Sequence, residues 1–224
     1  MNSQNKVILI TGVSRGIGKA LAQKFLAEGY FVIGTSRAGE SDISHQNLIL
    51  LPLDLADAQS IKSCASKILE LEKPIDILVN NAAQVWSEKD NGKMEIHVDI
   101  LRKTLETNLV GPIDFTLQIL PVVVQGGHII NISSRQGSMS YVKEMKNPSY
   151  QISKAGVNMF TRVLAAQLKD KITVSCVHPG AVLTDMAAAD ASMQPEEAAV
   201  HIYNLAISKP ETGQFWFKGE KFPW

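Results

Sequence analysis

Short apolar runs rich in β-branched residues alternate with longer amphipathic stretches along the chain, and this alternation restricts the possible folds more than any other feature. The run at 7–10 is followed by Ile17, Leu21 and Phe25, which recur every four residues as on one face of a helix. Strands that alternate with helices predict βαβ units, and strands that are apolar throughout predict a parallel sheet with helices on both faces. The predicted fold is a doubly wound α/β sheet, and we expect residues 1–224 to form one domain.

The strands and helices of this sheet can be assigned from the same pattern. Gly29 is placed to end the first helix, and Asp57 is placed to open the second. A long helical stretch at 98–124 is expected to bend near Gly111 and Pro112. The predicted strands are 7–10, 31–35, 48–53, 75–79, 128–132, 172–177 and 214–217. The residues predicted to face inward are Ile61, Cys64, Ala65, Ile68 and Leu69 on the second helix, and Ala155, Met159, Val163 and Leu164 on a helix at 149–168.

The composition excludes several classes of protein. Lys and Arg together number 22, as do Asp and Glu, and this balance argues against a protein that binds nucleic acid or an anionic membrane surface. No apolar run approaches the roughly 18 residues of a membrane helix, and the polar start of the sequence has no signal-peptide pattern. Two cysteines exclude a disulfide scaffold, and the five histidines are scattered without metal-ligand spacing. We therefore expect a cytoplasmic protein that binds no metal ion.

The segment after the first predicted strand carries a glycine-rich turn. Gly12, Gly16 and Gly18 form the pattern G-x-x-x-G-x-G at the start of the first helix. Glycines there permit a tight turn, and the backbone N–H groups of the helix start can bind a pyrophosphate. The alternative is a tight strand-to-helix connection that binds no ligand. The position at the carboxyl end of the first strand favours a dinucleotide site.

The residues after the second predicted strand bear on which dinucleotide would bind. An NAD-selective site would carry Asp or Glu there to bind the ribose hydroxyls, whereas this sequence has Arg37 and no acid at 35 or 36. Arg37 and Arg15 of the glycine-rich turn could together bind the 2′-phosphate of NADPH. One alternative is that both arginines are solvated at the surface. Another is that Glu40 and Asp42 bind the ribose, which would require their loop to fold back.

Further polar residues follow the other predicted strands. Asp54 could accept a hydrogen bond from an adenine amino group or cap a helix, and the small residues at 80–83 would let the backbone approach adenosine. Ser134 follows the fifth predicted strand. Tyr150 and Lys154 are four residues apart and therefore share a helix face. Taken alone, this pair is better interpreted as an ordinary pair on a helix surface.

Together, these motifs resemble the short-chain dehydrogenase/reductase family, which implies a Rossmann-type fold. In the order of the family, they are T-G-x-x-x-G-x-G at 11–18, Asp54-Leu55, N-N-A-A at 80–83, Asn108 within T-N-L, N-I-S-S at 131–134, Y-x-x-x-K at 150–154 and P-G at 179–180. The resemblance extends from Val7 to the last strand. Within the family, T-D-M at 184–186 with P-E-E-A at 195–198, and G-Q-F at 213–215, are most similar to carbonyl reductases.

The resemblance implies catalytic roles for four residues. Tyr150 matches the catalytic acid/base of the family, and Lys154 matches the residue that binds the nicotinamide ribose and lowers the pKa of the tyrosine. Ser134 matches the serine that orients the substrate carbonyl, with Ser133 as a weaker candidate. Asn108 matches the asparagine that holds a relay water. Many members have a shorter gap between serine and tyrosine than the sixteen residues found here, so the segment at 139–147 carries a short insertion that could shape the substrate mouth.

The resemblance also implies a set of cofactor-binding residues in the glycine-rich turn, at the strand ends and in the loop after the sixth strand. This set consists of Gly12, Ser14, Arg15, Gly16, Ile17, Gly18, Arg37, Asp54, Leu55, Asn80, Ala82, Tyr150, Lys154, Pro179, Gly180, Val182 and Thr184.

The expected function is reduction of an aldehyde, ketone or quinone by hydride transfer from NADPH. One alternative is an NAD-dependent alcohol dehydrogenase of the same family. A second is a protein that senses NADPH without turnover, although a sensor has no need of all four catalytic residues. The expected partner is a small-molecule carbonyl compound or alcohol, with no nucleic acid and no membrane. The resemblance allows a homodimer, a homotetramer or a monomer.

Overall fold

One sheet of eight strands organises the molecule. The structure is a computed structural model that describes residues 6–90, 93–186 and 191–224. Its strands are β1 (Val7–Thr11), β2 (Phe31–Ser36), β3 (Leu48–Pro52), β4 (Ile75–Asn80), β5 (Lys89–Asp90), β6 (Lys93–Met94), β7 (Val123–Ile132), β8 (Thr173–Val177), β9 (Gln214–Phe217) and β10 (Glu220–Lys221). The order in the sheet is β3-β2-β1-β4-β7-β8-β9-β10, with β10 antiparallel to β9 and the other neighbours parallel. β5 and β6 form a separate hairpin.

The connections between the strands are mostly helical. The α-helices are α1 (Gly16–Ala27), α2 (Ala58–Glu70), α3 (Val98–Leu105), α4 (Gly111–Ile119), α5 (Pro148–Gln167) and α6 (Pro195–Ile207). A π-helical turn at Glu106–Val110 joins α3 to α4, and 3₁₀ turns lie at Leu120–Val122 and Arg135–Gly137. Within the described ranges, none of the helices has the length and apolar character needed to cross a membrane.

Helices cover both faces of the sheet, which confirms the predicted doubly wound α/β fold. Successive side chains of a strand point to opposite faces, and β1 shows this clearly. Leu9 packs into a core with α2, α4 and α5, whereas Ile8 and Ile10 pack into a second core with α1 and α6. The fully buried rings of Phe115 and Phe25 belong to the first and second core respectively.

The predicted helical stretch at 98–124 differs most from the structure. Its helical part ends at Val122, and the next two residues already belong to β7. The departure from α-helical geometry lies in the π-helical turn, just before the expected bend at Gly111. A Cβ atom on Gly111 would lie 1.9 Å from the Leu55 carbonyl oxygen, so this glycine permits close packing of the helix against the segment after β3. The sequence pattern also does not predict α6 or the β5–β6 hairpin.

Three apolar residues predicted to face inward are exposed instead. The exposed fractions are 40% for Leu69, 64% for Met159 and 57% for Val163. The other inward-facing residues predicted on α2 are buried. On α5, Leu164 is buried and Ala155 is half-buried. The apolar periodicity of α5 therefore misplaces two of its four predicted inward residues, Met159 and Val163.

The face of α5 that packs on the sheet is largely polar. Asn158 and Thr161 are buried there. Asn158 Oδ1 accepts a hydrogen bond from Ser133 Oγ at 2.7 Å, and Thr161 Oγ1 accepts one from Asn131 Nδ2 at 2.9 Å. Buried polar groups are stable when they are hydrogen-bonded. Polar partners at the end of β7 thus explain why polar residues of α5, and not Met159 and Val163, are turned inward.

A buried histidine on β7 is expected to make folding sensitive to acid. His128 Nε2 lies 2.8 Å from Ser175 Oγ and its Nδ1 lies 3.3 Å from the Ala206 carbonyl oxygen, and burial lowers the pKa of His128 to about 4. In the unfolded chain the same side chain has a pKa of about 6.5 and binds the proton more readily. Stability is therefore lost as the pH falls from about 6.5 towards 4, and the loss reaches about 2 kcal/mol at pH 5.

Urea unfolding of the wild type and of His128→Gln at pH 7.5 and pH 5 measures this effect. Between the two pH values, the variant should lose about 2 kcal/mol less stability than the wild type, whatever its stability at pH 7.5. Burial also lowers the pKa of His178 to about 4, but His178 is present in both proteins, so its contribution cancels. An equal pH dependence of the two proteins would contradict the prediction.

Candidate active site

The carboxyl ends of the parallel strands bring the predicted site segments to one edge of the sheet. The register pairs Thr11 of β1 with Thr35 of β2, and the Thr35 carbonyl accepts hydrogen bonds from the N–H groups of residues 12 and 13. β4 and β7 are paired in the same way up to Asn80 and Asn131. The segments that follow these strands therefore emerge side by side, at the edge where such sheets bind ligands.

The glycine-rich turn after β1 has no room for side chains. Gly12 and Gly16 have φ angles of 77° and 56°, in the left-handed region that favours glycine. A Cβ atom on Gly18 would lie 2.1 Å from the Gly12 carbonyl oxygen and 2.4 Å from Asn81 Nδ2. The conformation of the turn requires the first two glycines, and the close approach of backbone requires the third.

Asn81 holds this turn in place, a role that the sequence analysis missed. Its Nδ2 donates to the carbonyl oxygens of Thr11 at 2.8 Å and Gly12 at 3.1 Å. The backbone N–H groups of Asn81 and Ala82 both donate to Thr11 Oγ1 at 3.0 Å. Thr11 lies at the end of β1, and Asn81 directly follows β4, the neighbouring strand. A prediction that these two strands are neighbours could therefore have identified the contact between Thr11 and Asn81.

The start of α1 is suited to a phosphate group. Its N-cap residue, Arg15, makes no side-chain cap hydrogen bond, and the first turn contains no acidic residue. The N–H groups of a helix start lack helical partners, and the helix dipole favours an anion there. Ser14 and Arg15 are exposed, whereas Gly16 and Ile17 are half-buried. The backbone of Gly16, Ile17 and Gly18 therefore fits the pyrophosphate of a dinucleotide.

The two arginines predicted to bind a 2′-phosphate have different surroundings. Arg37 is exposed directly after β2, beside the glycine-rich turn. Arg15 forms an ion pair with Asp185 at 2.9 Å, so its guanidinium is directed to the loop after β8. Asp42, the alternative ribose ligand, is paired with Lys19 at 2.6 Å. Of the two arginines, Arg37 is therefore the one that forms no ion pair with another residue in the described part of the chain.

Asp54 and Leu55, which follow β3, have local structural contacts. Asp54 Oδ1 accepts a hydrogen bond from the Ala56 N–H at 2.9 Å, and the Asp54 N–H donates to Ser60 Oγ at the same distance. Leu55 is buried in the core. The Asp54 carboxylate closes the turn before α2, and the cap of α2 is Asp57, which accepts from the Gln59 N–H. Asp57 therefore opens this helix as predicted.

The Asn80 side chain is turned into the interior. Its Nδ2 donates to Thr116 Oγ1 and to Asn131 Oδ1, both at 2.8 Å. Ala82 instead lies against the glycine-rich turn, since a Cβ atom on Gly12 would approach Ala82 to 3.0 Å. Of these two predicted cofactor contacts, Ala82 is the one that borders the turn.

The loop after β8 runs beside the glycine-rich turn. It starts at Pro179 and Gly180, and Gly180 has a φ angle of 103°. Val182 is buried and pairs with Met193 in an isolated β-bridge. Further along, the Thr184 methyl group would lie 3.2 Å from a Cβ atom on Gly16. The loop therefore brings Thr184 next to the turn that fits the pyrophosphate.

Tyr150 lies in the first turn of α5, with its hydroxyl close enough to Ser134 for the two side chains to interact. Ser134 Oγ also accepts from the Gln136 N–H at 3.1 Å, which fixes the serine at the start of its 3₁₀ turn. Ser133, the weaker candidate, is buried and bonded to Asn158. Of the two serines, Ser134 is therefore the one in contact with Tyr150.

Desolvation controls the proton on Tyr150 in this structure. Tyr150 keeps part of its surface exposed, but burial of its hydroxyl raises the pKa of Tyr150 to about 12, with a smaller opposing effect of the hydrogen bond with Ser134. This direction is opposite to the expectation that Lys154 lowers the pKa of Tyr150. Away from water the charged form of an ionisable side chain is disfavoured, so the Tyr150 phenol stays protonated at neutral pH.

Lys154 is buried below the tyrosine ring. Its Nζ donates to the Ile132 carbonyl oxygen at 2.8 Å and lies 5.5 Å from the centre of the Tyr150 ring. Burial lowers the pKa of Lys154 to about 8. The shared helix face therefore does bring lysine and tyrosine together, although the ammonium is directed to the end of β7.

Asn108 connects the segment after β4 to α5. It lies in the π-helical turn, a type of irregularity that is frequent at functional sites. Its side-chain amide bonds both backbone groups of Gln84, accepting from the N–H and donating to the carbonyl, at 2.8 Å each. Asn108 Nδ2 also donates to Ser153 Oγ at 3.4 Å. Asn108 thus holds the segment near Tyr150.

Two acids near the site make contacts that the sequence patterns do not predict. Glu88 is buried and bonds Ser149, the residue before Tyr150. Asp185 pairs with Arg15. Contacts between distant parts of the chain identify these residues, and such contacts are not visible in local sequence patterns.

Across the described ranges, no three His, Cys, Asp or Glu side chains are grouped so that they could hold a metal ion.

Comparisons with known proteins identify the family. A profile described as short chain dehydrogenase matches residues 6–195. The 3-oxoacyl-[acyl-carrier-protein] reductase FabG of Vibrio harveyi is 35% identical over 217 residues, which cover 93% of this chain and 85% of the relative. Carbonyl reductase [NADPH] 1 of Mus musculus is 28% identical, with 100% of both chains covered. The solved structure of carbonyl reductase Sniffer of Drosophila melanogaster has a TM-score of 0.88 at 26% identity and covers 99% of this chain and 100% of its own. The chain therefore belongs to the short-chain dehydrogenase/reductase family, and it resembles the carbonyl reductases of that family in sequence and in fold.

Proposed function

We propose that this protein reduces a carbonyl compound to an alcohol with NADPH, with Tyr150 as the proton donor. The observation that carries the proposal is the convergence of Ser134, Tyr150 and Lys154 at the carboxyl edge of the sheet, with Lys154 Nζ 5.5 Å from the centre of the Tyr150 ring. Because desolvation keeps Tyr150 protonated, the phenol is in the form that donates a proton.

Each residue of the site has a role in this reaction. When bound, NADPH supplies the hydride. Tyr150 donates a proton to the carbonyl oxygen of the substrate, and Ser134 donates a hydrogen bond to the same oxygen, where negative charge develops. Lys154 and Thr184 would hold the nicotinamide half of the cofactor, and the glycine-rich turn would hold its pyrophosphate. The NADPH in the name of the mouse relative supports the choice of cofactor.

The test is oxidation of NADPH and NADH with a panel of aldehydes, ketones and quinones. A 3-oxoacyl thioester belongs in the panel because of the Vibrio harveyi relative. We expect turnover of at least one class, with NADPH preferred. Tight NADPH binding without any turnover would favour the sensor. Preference for NAD with faster alcohol oxidation would favour the dehydrogenase.

Replacing Arg37 with Ala is expected to weaken NADPH binding by about 10- to 100-fold and to leave NADH binding nearly unchanged. A hydrogen bond to a charged group contributes about 1.5–3 kcal/mol, and NADH lacks the phosphate that Arg37 would bind. Dissociation constants from cofactor fluorescence measure the effect. Arg102→Ala is the matched control, because Arg102 is an exposed arginine paired with Asp99 on α3. Equal loss of affinity for both cofactors in Arg37→Ala would contradict the phosphate assignment.

A further inference from the structure

Glu88 is a buried acid in the segment between β4 and β5. It is only 2% exposed, although carboxylates are rarely buried so fully. Its Oε2 accepts a hydrogen bond from the Ser149 N–H at 2.9 Å, and its Oε1 accepts one from the Ser149 hydroxyl at 2.6 Å. A carboxylate that is removed from water needs hydrogen bonds of this kind. Ser149, which is 1% exposed, is therefore a specific partner of Glu88.

Ser149 lies at the very start of α5. The first residue of the helix, Pro148, has no N–H, and the N-cap residue Asn147 makes no side-chain cap hydrogen bond. Ser149 thus supplies the first backbone N–H of the helix, and Glu88 satisfies it from 61 residues away in the sequence. The carboxylate also lies at the positive end of the helix dipole. Glu88 caps α5 in place of its neighbours in sequence.

The same segment is attached to α5 at a second point. Gln84 is bonded through both backbone groups to Asn108, and Asn108 in turn donates to Ser153 Oγ. Ser153 is three residues after Tyr150, and Ser149 is the residue before it. The segment at 84–88 is therefore tied to α5 on both sides of the tyrosine.

We propose that Glu88 is a positioning residue, which holds the first turn of α5 so that the Tyr150 hydroxyl stays beside Ser134. This inference rests on the proposed function. The first turn is where a helix has the fewest internal hydrogen bonds, and it opens most readily. Proton transfer requires the donor to be held within a fraction of an ångström of its productive position. Glu88 acts through Ser149 and does not contact the reacting atoms.

Kinetics of two Glu88 variants test the proposal. Glu88→Ala should lower kcat by about 10- to 100-fold, because the first turn loses its cap, while the KM for NADPH changes by less than about threefold. Glu88→Gln should restore kcat to within about threefold of the wild type. Its amide oxygen can accept from the Ser149 N–H, and its amide nitrogen can donate to the Ser149 hydroxyl oxygen.

Hydrogen exchange provides a readout that does not depend on turnover. Backbone exchange in a peptide covering residues 148–153 should be faster in Glu88→Ala than in the wild type, and should be restored in Glu88→Gln. Asp76→Ala is the matched control. Asp76 Oδ2 accepts the Val7 N–H at 2.8 Å, which is also a carboxylate-to-backbone bond across the chain, but it lies at the amino end of the sheet. This control should lose stability without a change in kcat or in exchange at 148–153.

The outcomes separate a positioning role from a general effect on stability. A kcat of Glu88→Ala within about twofold of the wild type overturns the proposal. So does a loss of kcat that Asp76→Ala reproduces at equal stability. If the wild type turns over no carbonyl compound, the proposed function fails instead. In that case, unchanged exchange at 148–153 in Glu88→Ala overturns the proposal, whereas faster exchange supports it.

Discussion

Replacing Tyr150 with Phe should lower kcat for carbonyl reduction by about a thousandfold and leave NADPH affinity unchanged. The change removes only the hydroxyl that lies beside Ser134, and a positioned general acid typically contributes between 10²- and 10⁴-fold. The ring remains, with its centre 5.5 Å from Lys154 Nζ, so the fold around it should persist. Loss of one hydrogen bond should reduce the free energy of unfolding by about 1 kcal/mol.

Single-turnover measurements with NADPH and the best carbonyl substrate would determine this loss. Tyr203→Phe is the matched control, because it removes the same hydroxyl from a tyrosine on α6 whose ring packs 5.0 Å from that of Phe25 in the second core. It should retain nearly full activity. Turnover by Tyr150→Phe within about tenfold of the wild type would contradict the role of Tyr150 as the proton donor.

Replacing Gly18 with Ala should weaken NADPH binding by at least about 100-fold. The added methyl group would lie 2.1 Å from the Gly12 carbonyl oxygen and 2.4 Å from Asn81 Nδ2. Gly12 is backbone, and Asn81 is held by its bonds to Thr11 and Gly12, so the turn itself must move. Overpacking of this kind costs about 1–3 kcal/mol of stability, and displacement of the turn removes the backbone N–H groups from the cofactor.

Cofactor fluorescence and urea unfolding together measure the effect of Gly18→Ala. Gly126→Ala is the control, since a Cβ atom there meets nothing within 4 Å. Gly126 has a φ angle of 77°, so its replacement should cost about 1 kcal/mol through backbone strain without affecting NADPH binding. NADPH affinity of Gly18→Ala within about threefold of the wild type would contradict the steric argument.

Features carried by short stretches of sequence were predicted well. The order of the elements, apart from α6, β5, β6 and β10, follows from apolar periodicity. The glycine-rich turn follows from the spacing of Gly12, Gly16 and Gly18 after a strand. Asp57 was correctly placed as the start of α2, because a cap acts on residues that are close in sequence. The pairing of Tyr150 with Lys154 on one helix face also depends only on local spacing.

Features that depend on contacts between distant residues were not predicted. The inner face of α5 is set by polar partners on β7, so its apolar pattern misplaces Met159 and Val163. The ion pair of Arg15 requires Asp185, which is distant in sequence. The raised pKa of Tyr150 depends on how much water the folded chain excludes from its hydroxyl, and this quantity cannot be obtained from the spacing of Tyr150 and Lys154.

The polar inner face of α5 also bears on how such an enzyme can diversify. An apolar helix face can shift on a sheet by a fraction of a turn. Asn158 is bonded to Ser133 Oγ and to the Gly137 carbonyl oxygen, so α5 can pack on the sheet in only one position. The position of α5 on the sheet is therefore fixed by contacts outside the segment at 139–147, and its first turn is held by Glu88. Under the proposed function, substitutions and insertions at 139–147 would change which substrates are accepted, while the helix that carries the proposed proton donor keeps its place on the sheet.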